Sequence, residues 1–193
     1  NKLAGKVPAA ELRAAIGRLR EVQGVEADRD RRPQPVAGFD LTFSVPKSIS
    51  TAWAVADAGT QAVIYQAHQE AIRVALAYAE QHIFFSRSGT NGVVREQIRG
   101  VVAAAFDHWD SRAGDPQLHT HVVVLNRAKS LDGTWRTIDS RGLFKQVVTL
   151  SELHEGILAD VLTARFGWGF DPRQRTYSAE PKYEVTGVSD ALM

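Results

Sequence analysis

The spacing of apolar and polar residues changes rhythm several times along this chain, and each change marks an element. Over residues 9–23, Leu12, Ala15, Ile16 and Leu19 recur at helical spacing and predict a short amphipathic helix. Residues 24–37 lose that rhythm, carry charge and hold Pro33 and Pro35, so they read as a linker or mobile loop. From Gly38 to Ser44 the period drops to two. Phe39, Leu41 and Phe43 share one face of a strand, and Asp40, Thr42 and Ser44 share the other. Pro46 suits the first turn of a helix that runs to about Ala56. A long helix follows over about 60–83. Ile64, Ala67, Ala71, Ala75 and Tyr78 form its apolar stripe, with Gln66, Glu70, Arg73 and Glu80 on the other side.

The second half turns to short period-two segments. Strands are expected at about 83–87 and 92–95 around the turn Ser88-Gly89-Thr90-Asn91-Gly92, then at about 99–110 and 118–128, and a short one at 134–138 after Asp132-Gly133. A helix over 143–166 would turn Leu150, Leu153, Ile157, Val161 and Phe166 inward and stop at Gly167. The tail over 168–188 has strand-like pieces about Pro172 and Pro181. Successive hairpins beside long amphipathic helices predict an α+β fold, a mainly antiparallel sheet with helices packed on one face.

Composition narrows this picture only a little. A chain of 193 residues with 44% hydrophobic content can bury one real core. It has no apolar run long enough to span a bilayer and no signal-peptide pattern, and the absence of cysteine rules out disulfides and thiolate metal sites. Cytoplasmic location fits these features. A net charge of +1 does not announce nucleic-acid binding, yet basic residues gather over 84–146, at Arg112, Arg127, Lys129, Arg136, Arg141 and Lys145. The chain opens on Asn1-Lys2 and stops at Met193, shortly after a helix-like start at Ser189. We expect two parts, an N-terminal helix and mobile linker over 1–37 and a core over 38–193 that is truncated at both ends.

The candidate chemistry lies in the central hairpin. His119 and His121 alternate onto one face of the strand that ends in Val122-Val123-Val124-Leu125. A turn over 111–117 would fold the preceding strand back and bring His108 level with them. A His-x-His pair alone is a weak signal, but a third histidine on the partner strand makes a three-nitrogen site with open positions. Asp40 is the matching acid. A carboxylate in mid-strand is costly to bury unpaired, and a ligand imidazole offers a second N–H that a carboxylate accepts.

Phe39-Asp40-Leu41-Thr42-Phe43-Ser44-Val45-Pro46-Lys47-Ser48, taken with Asp115-Pro116-Gln117-Leu118-His119-Thr120-His121, resembles the conjugative relaxases of the MobF class. The similarity extends over about 38–170. One departure is Thr120, where a bulky apolar residue is common in this class. The resemblance implies an HUH-type endonuclease fold and metal-dependent nicking of one strand of a plasmid transfer origin through a 5′-phosphotyrosine. It implies that His108, His119 and His121 hold a divalent cation, with Mg2+ or Mn2+ favoured and Zn2+, Ni2+ or Co2+ acceptable. Asp40 would orient a ligand histidine and help deprotonate the tyrosine. Single-stranded transfer-origin DNA would be the partner, beside other relaxosome and coupling proteins. Lys47, Trp109, Arg112, Trp135, Arg136 and Arg141 are candidate DNA contacts.

The nucleophile breaks the pattern. Such relaxases place their tyrosines before the aspartate strand, and here none precedes Tyr65. This stretch alone is therefore expected to bind metal and DNA without nicking. Three alternatives stay open at this point. A rolling-circle replication initiator or transposase would use Tyr177 or Tyr183. A non-catalytic DNA-binding module would keep the histidines as structural groups. A three-histidine hydrolase would need an enclosed small-molecule pocket.

Overall fold

The computed structural model describes residues 4–6, 35–174 and 181–193, with only the backbone of 4–6. The helix expected over 9–23 and most of the linker expected over 24–37 lie outside these residues. Among the described residues the element order is β1 (Ala4–Lys6), β2 (Gly38–Ser44), α1 (Lys47–Val55), α2 (Ala58–His82), β3 (Phe85–Ser88), β4 (Val94–Asp110), β5 (Pro116–Ser130), β6 (Trp135–Arg136), α3 (Ser140–Lys145), α4 (Val147–Phe166), β7 (Phe170–Arg173) and β8 (Lys182–Val185).

The main sheet runs β1-β2-β5-β4-β3, and β6 extends the β2 edge of β5. Its pairings are all antiparallel. Strands β7 and β8 form a separate hairpin. The alternation read for 38–44 sets the layering. Phe39, Leu41 and Phe43 are buried beneath the helices, while Asp40, Thr42 and Ser44 lie on the opposite, more open face. Gly38 permits the close pairing of β2 with β5, because a Cβ there would sit 2.8 Å from the carbonyl oxygen of Val124. Helix α2 starts where Asp57 accepts hydrogen bonds from the backbone N–H groups of Gly59 and Thr60. Its buried stripe follows the expected spacing and adds His68, Ile72 and Ala79, while Tyr78 is only half-buried.

Three expectations need correction. The strands placed at 92–95 and 99–110 are one strand of 17 residues. Gly100, at φ 144°, lets the chain bulge between Ile98 and Ala103 without ending the pairing. The helix placed at 143–166 is two. Asp139 caps an earlier start by accepting from the Arg141 N–H, and Gln146 leaves helical geometry at φ −105°, ψ 7°. The buried row of α4 is Leu150, Ser151, His154, Leu158 and Leu162, whereas Leu153, Ile157, Val161 and Phe166 pack at its margins. That helix is apolar on most sides, so spacing alone assigns the wrong row; two of the truly inward residues are polar. Gly167 ends it in the left-handed region at φ 69°.

Two apolar clusters fill the space between sheet and helices. One contains Phe39, Phe43, Ile72, Val122 and Leu150; the other contains Ile49, Ile64, Leu118, Leu158 and Leu162. Elements α2, β5 and α4 contribute to both. At the junction each supplies a buried polar residue, His68, Thr120 and His154.

Candidate metal centre and DNA interface

Register assembles the open-face site. His108 on β4 pairs directly with His119 on β5, and the next rungs are Asp107 with Thr120 and Phe106 with His121. On the other side of β5, Thr42 pairs with His121 and Ser44 with His119. The loop at 111–115 closes this hairpin, with the Ser111 hydroxyl accepting from the Ala113 and Asp115 N–H groups. The three imidazole rings stand 5.1–5.2 Å apart between centroids, each tilted against the others. One nitrogen of each lies within 4.8 Å of the other two. His108 is exposed, and His119 and His121 are half-buried.

Hydrogen bonds decide which nitrogens remain free. His121 donates from Nδ1 to Asp40 Oδ2 at 2.7 Å, with the Thr42 hydroxyl 3.2 Å from the same nitrogen. His119 donates from Nδ1 to the Gln117 carbonyl at 2.8 Å. Both rings thus carry their proton on Nδ1 and leave the Nε2 lone pair free toward the open face. This is the donor set that a divalent cation accepts. The other Asp40 oxygen is buried and has no partner among the described residues.

The opposite face of the same strands is densely hydrogen-bonded. Asp107 accepts from the Thr120 hydroxyl at 2.6 Å, the Tyr65 hydroxyl at 2.7 Å and the Gln69 amide at 3.0 Å. Burial alone would raise the Asp107 carboxyl; the Thr120, Tyr65 and Gln69 bonds and nearby His68 more than offset it and hold it below the usual range. The reverse holds for Tyr65, whose bond to Asp107 raises its phenol. Thr120 also lies 3.0 Å from His68 Nε2, and His68 Nδ1 lies 3.1 Å from His154 Nε2. Burial pushes His68 down to about 4 and His154 down to about 3, so both are neutral near pH 7.

The proposed DNA contacts separate into two regions. Lys47 and Arg112 lie at the histidine end. Lys47 donates to the Pro116 carbonyl at 2.8 Å, and Arg112 is exposed on the hairpin loop. Lys47 also lines a cleft of ≈ 660 Å³ with Ser44, Gln117, Arg173, Lys182 and Glu184. Trp135 and Arg136 lie beside Ala128 and Lys129, about nine residues along β5 from His119, or roughly 30 Å. Arg136 pairs there with Asp132 and Glu96. Arg141 is exposed at the start of α3. Trp109 faces the helices, stacked on Trp53 at 5.4 Å. The sequence reading missed Thr42, the Gln117 carbonyl and the whole Asp107 network. Thr42 alone had a signal, since it shares the Asp40 face.

The whole length matches one family, TrwC relaxase, over residues 1–193. This chain belongs to the TrwC relaxase family. It is 33% identical over 172 residues to the multifunctional conjugation protein TraI of Escherichia coli, a match covering 89% of this chain and 9% of that protein. TraI of strain K12 is 35% identical over 125 residues, covering 64% of this chain and 7% of that protein. Among solved structures, the metal-bound conjugative relaxase TrwC in complex with OriT DNA superposes with a TM-score of 0.70 at 30% identity, over 91% of this chain and 61% of that one. TrwC with a 27-mer DNA comprising the recognition hairpin and the cleavage site gives 0.68 at 29% identity, over 91% and 63%. The chain therefore spans less than a tenth of the TraI proteins and about three fifths of these TrwC chains. No helix among the described residues is long and apolar enough to cross a membrane.

Proposed function

We propose that this relaxase-family chain carries the metal centre of a site- and strand-specific DNA nickase acting at a plasmid transfer origin through a 5′-phosphotyrosine intermediate. The observation that carries the reading is the histidine triad, with one nitrogen of each ring within 4.8 Å of the other two and two Nδ1 protons already committed to protein acceptors. His108, His119 and His121 would hold one divalent cation, Mg2+ or Mn2+ in working conditions. When bound, that cation supplies Lewis-acid polarisation of the scissile phosphate. Asp40 orients the His121 ring and keeps its proton on Nδ1. Its second oxygen, buried and partnerless among the described residues, would be the acceptor for the phenolic proton once an attacking tyrosine packs against it.

The substrate reading is single-stranded DNA laid across the open sheet face, with Lys47 and Arg112 at the histidine end. Trp135, Arg136 and Arg141 would meet a more distant part of the same DNA. Other relaxosome and coupling proteins would be partners, and the cytoplasm the compartment. The tyrosine is not supplied by Tyr65, whose hydroxyl is bound to Asp107 on the helix side. Tyr78 packs at a tilt against His82, and Tyr183 belongs to the β7–β8 pair.

A labelled transfer-origin oligonucleotide incubated with Mg2+ tests this. The comparison is between the 193-residue chain and a form extended at its N-terminus by a tyrosine-bearing relaxase segment. A covalent adduct from the extended form alone is expected. Adducts from the 193-residue chain would favour the replication-initiator order, with Tyr177 or Tyr183 attacking. Adducts from neither form would leave a DNA-binding module.

A further inference from the structure

The reverse side of the histidine strands holds a chain of hydrogen bonds whose direction can be worked out. The Thr120 hydroxyl has one proton, and its 2.6 Å contact with Asp107 Oδ1 requires that the carboxylate receive it. His68 Nε2, 3.0 Å from the same hydroxyl, must then carry a proton and donate it to Thr120. His68 Nδ1 is left as an acceptor and takes the proton of His154 Nε2 at 3.1 Å. The order is His154 to His68 to Thr120 to Asp107, and Tyr65 and Gln69 close it from α2. His68, Thr120 and His154 are buried to within 1% of full coverage, so a broken link would strand a polar atom away from water.

The placement of this chain is what gives it a role. Asp107 and Thr120 are directly paired across β4 and β5, and their rung lies between the two rungs that carry His108, His119 and His121. Apart from the closing loop at 111–115, the pairing is weakly specified there. Register shifts occur between Ile98 and Val101, between Val101 and Ala103, and again between His108 and Asp110. Val102 to Phe106 is Val-Ala-Ala-Ala-Phe, exposed throughout, so no hydrophobic alternation fixes which face each residue takes. A slip of one residue would carry His108 to the helix side and dismantle the triad.

We propose that Asp107, Thr120, His68 and His154 are positioning residues whose hydrogen-bonded chain locks β4 on β5 in the register that gathers His108, His119 and His121, and so sets the affinity of that site for a divalent cation. This rests on the metal reading given above. It accounts for Thr120 between the two histidines, since a larger apolar residue would fill the space and offer no hydroxyl to His68 or Asp107. The hydrogen bonds of the network all lie on the far side of the strands, so it holds the ligands in place through their backbone.

The test is Co2+ titration of the 193-residue chain, followed by calorimetry and by the visible absorption of the bound ion, which reports ligand geometry. Thr120→Val keeps the shape and removes the hydroxyl. It is expected to bind Co2+ about 10-fold more weakly, in the range of supporting groups around a metal site, with a changed absorption band. Thr120→Ser is expected to restore both affinity and spectrum, a rescue that a packing role for the methyl group would not give. A folded Thr120→Val protein with wild-type affinity and spectrum would overturn the proposal. Should Thr120→Val not fold, Tyr65→Phe replaces it. That variant removes one half-buried hydroxyl from Asp107 and is expected to weaken Co2+ severalfold; an unchanged affinity and band would again overturn it. Wild-type protein that binds no Co2+, or binds it as well after His121→Ala, would instead sink the metal reading itself.

Discussion

Mild acid should destabilise this protein through His68 and His154. Both rings are buried, His68 held down to about 4 and His154 to about 3 from an ordinary 6.5, chiefly by loss of solvation. The charged or titratable groups acting on them are Asp107 from β4, which favours the His68 cation, and three that disfavour charge: His119 across the sheet on His68, and His68 itself and Lys182 from β8 on His154. The folded values lie below the unfolded ones, so the unfolded chain binds more protons in this range. The stabilisation is complete above pH 6.5 and falls as pH drops through 6.5 toward 4 for one ring and toward 3 for the other. At pH 5 the open window is about 1.5 units for each ring, or about 2 kcal/mol apiece and on the order of 4 kcal/mol for the pair. That is a large share of the roughly 5–15 kcal/mol that holds a domain folded. Asp57, Asp107 and Asp139 all have carboxyls lowered from 3.8, so their own losses come at lower pH. The assay is urea unfolding at pH 7 and pH 5 without added metal, for wild type and His154→Gln. Glutamine can still donate to His68 Nδ1 but does not titrate, so the variant should lose about half of the difference between the two pH values. Equal wild-type stability at both pH values, or an unchanged difference in the variant, would refute the reasoning.

Two further outcomes follow from the open face. Asp40→Asn should weaken Mn2+ binding about 10- to 100-fold, because an amide no longer holds the His121 Nδ1 proton as a carboxylate does; calorimetric titration giving equal affinities would count against the role assigned to Asp40. Gly38→Ala should cost about 1–3 kcal/mol in thermal or urea unfolding, since its Cβ would meet the Val124 carbonyl oxygen at 2.8 Å and must push β2 away from β5.

The parts of the site that could be read from the sequence are those written within one strand or one hairpin. Period-two alternation puts His119 with His121, and Asp40 with Thr42, without reference to the rest of the fold. His108 is a harder case. Its face depends on the number of residues in the 111–115 loop and on the register shift between His108 and Asp110, and one residue more or less would turn it inward. The buried polar layer was not legible, because His68, Thr120 and His154 come from three elements far apart in sequence. Each of those histidines, taken singly, looks like an interruption of an apolar stripe. The same blindness shifted the inward row of α4, where Ser151 and His154 are buried while Leu153 and Ile157 pack at the margin. The candidate DNA contacts, chosen by residue type, spread Arg112 and the pair Trp135 and Arg136 across roughly 30 Å of β5. These differences share a physical origin. Open-face chemistry is fixed by which way a side chain points, a local property. The network behind it is fixed by which helices cover the sheet and at what height, a property of the packed fold. Thr120 and Asp107 join the two levels, since each neighbours a triad histidine in sequence yet takes its partners from the helix side of the sheet.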